Sequence, residues 1–269
     1  MRIYGVDFTC APRKAKPITV ASAVLKRDFL LLEGIERLET FAAFEAFLAR
    51  PGPWLGGFDF PFSLPRELVR DLGWPREWPA LVAHCAAMTR LELRAALDAY
   101  RATRKAGSKY AHRATDYPAG SSSPMKLVNP PVALMFHEGA QRLLASEVCL
   151  PRLRENASSR IALEAYPGLL ARKQLGIRAS YKSDTRAKHT PARKAVRRQI
   201  LKALRSGAPL GVRLKLEARL EKQIVADGAG DLLDALICAT QAAWAWTRRA
   251  ANYGVPAHAP ANEGWIVTA

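Results

Sequence analysis

Five carboxylates stand where apolar neighbours would predict none: Asp7, Asp59, Glu164, Asp231 and Asp234. Asp7 closes the run Arg2-Ile3-Tyr4-Gly5-Val6-Asp7, nearly continuous in apolar character and rich in strand formers, the pattern of a strand covered on both faces. An ionised carboxylate removed from water is costly unless it is paired, hydrogen-bonded or bound to metal, so Asp7 calls for partners elsewhere in the chain. If the five acids converge, their repulsion raises their pKa values unless a divalent cation sits among them. Oxygen-only ligation suits Mg²⁺ or Mn²⁺, and the five histidines and four cysteines show no spacing that favours zinc. Two such ions about 4 Å apart clamp the attacking and leaving oxygens of a phosphodiester. Three of the acids also have a plainer explanation, whereas Asp7 and Asp59 sit in strongly apolar strands that leave less room for one. Asp231 is suited to cap a helix, Asp234 to sit near its positive end, and Glu164 to face solvent between Leu163 and Ala165.

The elements that must position these acids follow from the pattern. After the first strand, Ile18 to Leu25 and Phe29 to Glu33, joined by the tight Lys26-Arg27-Asp28 turn, predict an antiparallel meander. Leu38, Phe41, Phe44, Phe47 and Leu48 recur at helical spacing, and Pro51-Gly52-Pro53 ends that helix. Trp54 to Phe60 predicts a fourth strand, and entry through a helix makes it parallel to a neighbour, which brings Asp59 to the edge that carries Asp7. Residues 62–150 read as a mainly helical insertion, interrupted by the Gly-, Ser- and Pro-rich stretch 105–131. Ile161 to Tyr166 predicts a fifth strand. Thr190-Pro191 and Gly207 bound a helix, with Ala192, Val196, Ile200 and Leu204 on one side and its basic residues, Arg193 and Arg197 included, on the surface. The last helix starts near Asp231 and places Asp231 and Asp234 on one face. A strand-like Gly264-Trp265-Ile266-Val267 closes the chain.

The whole chain carries a formal net charge of +17 over 269 residues, and 49% of its residues are hydrophobic. That length is enough for one domain with a substantial core, and the charge selects partners: nucleic acid first, ahead of anionic membranes or acidic proteins. Between Arg172 and Lys222 sixteen Lys or Arg face only three acids. Aromatic residues are sparse there, so phosphate contact rather than base stacking is expected. The opening residues do not resemble a signal peptide, and the longest apolar stretch, Ala235 to Trp246, is too short to span a bilayer. Four scattered cysteines without a Cys-x-x-Cys pair suggest reduced thiols and a cytoplasmic setting. His112-Arg113 near Asp116 is expected at the surface, Ser121-Ser122-Ser123 lacks an identified base, and nothing specifies an oligomeric state.

The order of these features resembles the RNase H-like superfamily in its Holliday-junction-resolvase-like branch. The chain is more closely similar to a widespread bacterial and archaeal family of uncharacterised proteins described as predicted RNase H-like nucleases. The phrases that carry the resemblance are Gly5-Val6-Asp7-Phe8-Thr9, Gly57-Phe58-Asp59-Phe60-Pro61, Ser123-Pro124-Met125-Lys126, Pro130-Pro131-Val132, Glu164-Ala165-Tyr166-Pro167, Asp231-Leu232-Leu233-Asp234-Ala235 and Glu263-Gly264-Trp265-Ile266. The resemblance implies one α/β domain, an RNase H-like mixed sheet with helices on both faces and a helical insertion. It also implies a metal-dependent phosphodiester hydrolase with Asp7, Asp59, Asp231 and Asp234 as metal ligands. Glu164 is added as a fifth catalytic acid, and Arg113, Lys126, Lys182, Arg193 and Arg197 are expected to hold backbone phosphates. Two rival readings use related architecture. One is a nucleic-acid-binding module without catalysis. The other is an actin-like phosphotransferase, for which Gly56-Gly57 and Gly228-Ala229-Gly230 are the phosphate-loop candidates.

Overall fold

The computed structural model describes residues 1–269. A six-stranded mixed sheet forms its centre, in the order β5-β4-β1-β2-β3-β6. Strands β1 (Arg2–Asp7), β2 (Ile18–Lys26) and β3 (Phe29–Leu38) make the expected antiparallel meander, with β3 running to Leu38 rather than stopping at Glu33. Helix α1 (Phe41–Leu48) then returns the chain to β4 (Trp54–Phe58), which pairs parallel to β1; β5 (Arg160–Glu164) pairs parallel to β4. The short β6 (Arg213–Lys215) adds parallel to β3, an element too brief to leave an alternating pattern in the sequence. The architecture is mixed α/β, consistent with an RNase H-like fold.

Residues between β4 and β5 fold into α2 (Arg66–Asp71), α3 (Trp78–Ala86), α4 (Arg90–Thr103), the single turn α5 (Asp116–Ala119) and α6 (Val132–Ser146). A reciprocal capping box, Thr89 with Glu92, starts α4. After β5 come α7 (Pro191–Ser206), capped by Thr190 and closed by left-handed Gly207, then α8 (Ala218–Ala226) and α9 (Asp231–Thr247). No helix is long and apolar enough to cross a membrane. The tail Gly264 to Val267 forms no strand; a single parallel bridge from Ile266 to Glu164 lays it beside β5.

The two-residue period of the strands sorts their side chains between two cores. Tyr4, Val6, Trp54 and Phe58 face one side and pack with α1, α3, α4 and α6, where Phe8, Phe44, Phe47, Phe58 and Phe60 form a contiguous aromatic set. Ile3, Leu55 and Leu163 face the other, beneath α7, α8 and α9. On that second face β1 and β4 also place Gly5 and Gly57, directly opposite each other in the parallel register. A methyl group at Gly5 would collide with the backbone of Ala235 and Ala239, and one at Gly57 with the carbonyl of Cys238. The two glycines therefore let the backbone of α9 rest on the sheet itself.

Candidate active site

The close seat of α9 sets the geometry of the carboxylates. Asp7 follows Gly5 by two residues and Asp59 follows Gly57 by two, so both point to the α9 face, and the Asp59 amide donates to the Val6 carbonyl at 2.9 Å. Side chains at such laterally adjacent positions on paired strands stand about 5 Å apart. Asp231 and Asp234 occupy the first turn of the helix that lies over Gly5 and Gly57. Three elements thus deliver Asp7, Asp59, Asp231 and Asp234 to one edge of the sheet. Asp231 is the first residue of α9 and not its cap. That position belongs to Gly230, while the Asp227 carboxylate accepts from the Ala229 and Leu232 amides.

Electrostatics record the convergence. Burial, then the charges of Asp234 and Asp231, push the Asp7 carboxyl well above the ordinary range. Burial pushes Asp59 up to about 7, with Lys182 opposing the shift and Asp234 reinforcing it. Burial also raises Asp231, against the pull of Lys16. The four acids are not equally provided for. Lys16 reaches Asp231 at 2.7 Å and Asp184 at 3.0 Å. The fully buried Asp234 is held on one oxygen by the Tyr181 hydroxyl and on the other by the Lys182 ammonium group. Both lysines are held protonated: burial works against their charge, and Asp231 and Asp234 respectively outweigh it. Asp7 and Asp59, by contrast, accept no hydrogen bond from any side chain or amide.

Glu164 does not join them. It pairs in register with Phe58, so it leaves the sheet on the face opposite Asp59. There the Arg113 guanidinium meets both of its oxygens at 2.6 and 2.7 Å, and the Phe62 amide donates at 3.1 Å. The strand period decides the matter, because Glu164 is one residue out of phase with a site-facing position. The same contact corrects Arg113. It is 1% exposed, spans Glu164 and Asp116, and locks the insertion to β5 instead of offering its charge to phosphate. Glu263 completes this knot by accepting the Arg66 and Ala114 amides, which explains the buried acid in the Glu263-Gly264-Trp265-Ile266 phrase.

The remaining basic residues divide similarly. Arg197 is 2% exposed and donates to the carbonyls of Tyr181 at 2.6 Å and Val225 at 3.0 Å, so it braces the segment before Lys182 rather than lying on the surface. The buried stripe of α7 is Arg197, Ile200, Leu201 and Leu204, and Ala192 is exposed. Arg193 is half-buried and bonds the Lys188 carbonyl at 2.7 Å, while Lys126 is half-buried in the loop before α6. Lys182 alone of the five stands in the site. Two members were missed in the sequence, Lys16 and Tyr181. Lys16 left no signal beyond its position in the loop after the Asp7 strand, and Tyr181 only its isolation as an aromatic in a basic stretch.

The glycine segments that could have cradled a nucleotide are filled by the chain itself. A methyl group at Gly228 would strike the His189 ring, and one at Gly230 the Lys182 side chain; Gly56 and Gly57 are covered by Phe58 and α9.

For a metal ion the test lies in the donors. No group of three or more His, Cys, Asp or Glu side chains is gathered to hold one. A pair of unpartnered carboxylates, Asp7 and Asp59, does fit Mg²⁺, which keeps several waters and takes one or two carboxylates along with substrate phosphates.

Fold and site together describe a mixed α/β domain with a carboxylate cluster at the edge of its sheet. The chain belongs to the family described as protein of unknown function (DUF429), whose model matches residues 5–261. No curated protein and no solved structure matches it.

Proposed function

We propose that this protein is an RNase H-like nuclease that hydrolyses phosphodiester bonds in nucleic acid with the help of Mg²⁺ or Mn²⁺. The observation that carries this reading is the delivery of Asp7, buried, and Asp59, half-buried, from neighbouring parallel strands to one point at the sheet edge where neither accepts a hydrogen bond. Unpaired carboxylates in such a place oppose folding unless a cation completes them. The net charge of +17 supports a polyanionic substrate. A bound divalent ion would supply electrophilic stabilisation of the phosphoryl oxygens and a lowered pKa for attacking water. Asp7 and Asp59 would hold that ion, Asp231 and Asp234 hold Lys16 and Lys182, and exposed basic residues of α7 such as Arg198 and Lys202 would carry backbone phosphates. In the reaction a water oxygen bonds to phosphorus and its proton passes to solvent. The phosphorus bond to the leaving sugar oxygen breaks, and that oxygen takes up a proton.

One feature favours a second reading, a nucleic-acid-binding module without turnover. Lys16 and Lys182 already neutralise two of the four acids. A panel of labelled single-stranded, duplex, hybrid and junction substrates in Mg²⁺, Mn²⁺ or EDTA separates the two. Metal-dependent cleavage of any member supports the nuclease. Tight, salt-sensitive binding without cleavage supports the module, and the absence of both cleavage and binding contradicts both readings.

A further inference from the structure

The carboxylate edge contains more positive charge than a site for two ions requires. Asp234 is fully buried, and both of its oxygens are taken, by the Tyr181 hydroxyl and the Lys182 ammonium group. Several contacts fix this arrangement. Arg197 grips the Tyr181 carbonyl at 2.6 Å, and the Ser183 amide donates to the Gly228 carbonyl at 3.1 Å. Gly230 has φ +83 and no side chain, and the Lys182 stem runs through the space a β-carbon there would fill. The Lys182 side chain stays partly exposed along its length while its ammonium group rests, largely buried, on Asp234 at the carboxylate edge. On the other acid of the helix, Lys16 takes Asp231 at 2.7 Å. Lys16 is shared with the more exposed Asp184, and neither lysine bonds Asp7 or Asp59, so those two carboxylates are left with two charges that one divalent cation cancels.

We infer that the site works with one divalent cation, bound by Asp7 and Asp59, and that the Lys182 ammonium group takes the part a second ion would play, stabilising charge on the phosphoryl group and its leaving oxygen. The inference rests on the nuclease reading and makes it more specific. An ammonium group needs no coordination shell and is already in place, so it can meet the developing charge without reorganisation. Lys182 is then a catalytic residue. It neither forms nor breaks a covalent bond: water attacks phosphorus, the leaving oxygen departs with its electron pair, and solvent supplies the proton while Lys182 remains charged.

Titration of the full chain with Mn²⁺, followed by electron paramagnetic resonance and calorimetry, tests this. The wild type should bind one Mn²⁺ per chain at the site with no spin-coupled pair. Lys182→Met frees Asp234 and should admit a second, coupled Mn²⁺, while Lys182→Arg, which keeps the charge, should stay at one. Cleavage by Lys182→Met should fall about 100-fold or more, the loss typical when one preorganised electrostatic contact is removed. A coupled pair of Mn²⁺ ions in a wild type that cleaves would overturn the inference and leave the nuclease reading standing. Lys182→Met with one Mn²⁺ and cleavage within a few-fold of wild type would overturn it too. A wild type that binds no Mn²⁺ at millimolar concentration would overturn both. Because the wild-type stoichiometry alone decides the first point, a variant that fails to fold does not remove the test.

Discussion

At the scale of single residues, the strand period separates acids that looked alike in the sequence. Asp7 and Asp59 share a face with Gly5 and Gly57; Glu164 shares one with Phe58. Two predictions follow from that division. Replacing Glu164 by Gln leaves the buried Arg113 guanidinium with Asp116 as its only charged partner beside the Glu263 carbonyl, so the variant should lose about 3–5 kcal/mol of stability, the cost of breaking a buried ion pair. Its Mn²⁺ affinity should match wild type, and a large drop in that affinity would return Glu164 to the metal site. Asp59 behaves in the opposite sense. Its folded pKa of about 7 lies above the unfolded value, so the metal-free fold favours the protonated form. The carboxyl costs nothing below about pH 4, its penalty grows between about pH 4 and 7, and it is fully present above that range, with an upper bound on the order of 4 kcal/mol. Asp59→Asn should therefore melt higher than wild type at pH 8 without metal and equally at pH 4, and Mg²⁺ should stabilise the wild type more at pH 8 than at pH 5. Equal melting at pH 8 would show that Asp59 carries no such penalty.

At the scale of elements, the site depends on how closely α9 lies on the sheet. A β-carbon on Gly5 would overlap the backbone of Ala235 and Ala239, which cannot move without the whole helix. Gly5→Ala should lift α9, separate Asp231 and Asp234 from Asp7 and Asp59, and cost at least the roughly 1–3 kcal/mol usual for overpacking. Thermal melting and Mn²⁺ affinity should both fall; an unchanged affinity would mean that the helix does not set the distance between the acids. Much of this element was legible beforehand. Gly228-Ala229-Gly230 before an apolar helical run placed its start at Asp231, and the parallel course of β4 followed from the helix before it. What escaped was tertiary. Nothing in the spacing of Lys16, Tyr181 or Arg197 shows that loops far apart in sequence fold over Asp231 and Asp234. A basic helix pattern likewise predicts an exposed Arg197, because a guanidinium is buried only when carbonyls from other elements meet it. The phase error at Glu164 had a local cause as well: an acid at the end of each of three strands suggests one cluster, and only the paired register shows which face each acid takes.

At the scale of the molecule, the positive charge has a direction. Its densest run, Arg172 to Lys222, includes the segment that brings Tyr181 and Lys182 to the site and continues into α7, whose Arg198 and Lys202 are exposed. A polyanion engaged by α7 would therefore lie on the most basic stretch of the chain, the one that also supplies Lys182 to the carboxylates. Binding of nucleic acid should weaken steeply as salt rises, and Arg198→Glu with Lys202→Glu should flatten that dependence by about two units of the log–log slope. A slope unaffected by the double substitution would move the binding face elsewhere on the surface.

The central claim is that the unpartnered Asp7 and Asp59 make a metal-dependent phosphodiesterase of this sheet edge. The most direct test compares wild type with Asp7→Asn, both confirmed as folded by circular dichroism, for cleavage of labelled nucleic acids in Mn²⁺ and in EDTA. The account predicts cleavage by wild type in Mn²⁺, none in EDTA and none by Asp7→Asn, whose side chain keeps the shape of the acid without its charge. Cleavage that survives in EDTA, or in folded Asp7→Asn at the wild-type rate, would contradict it.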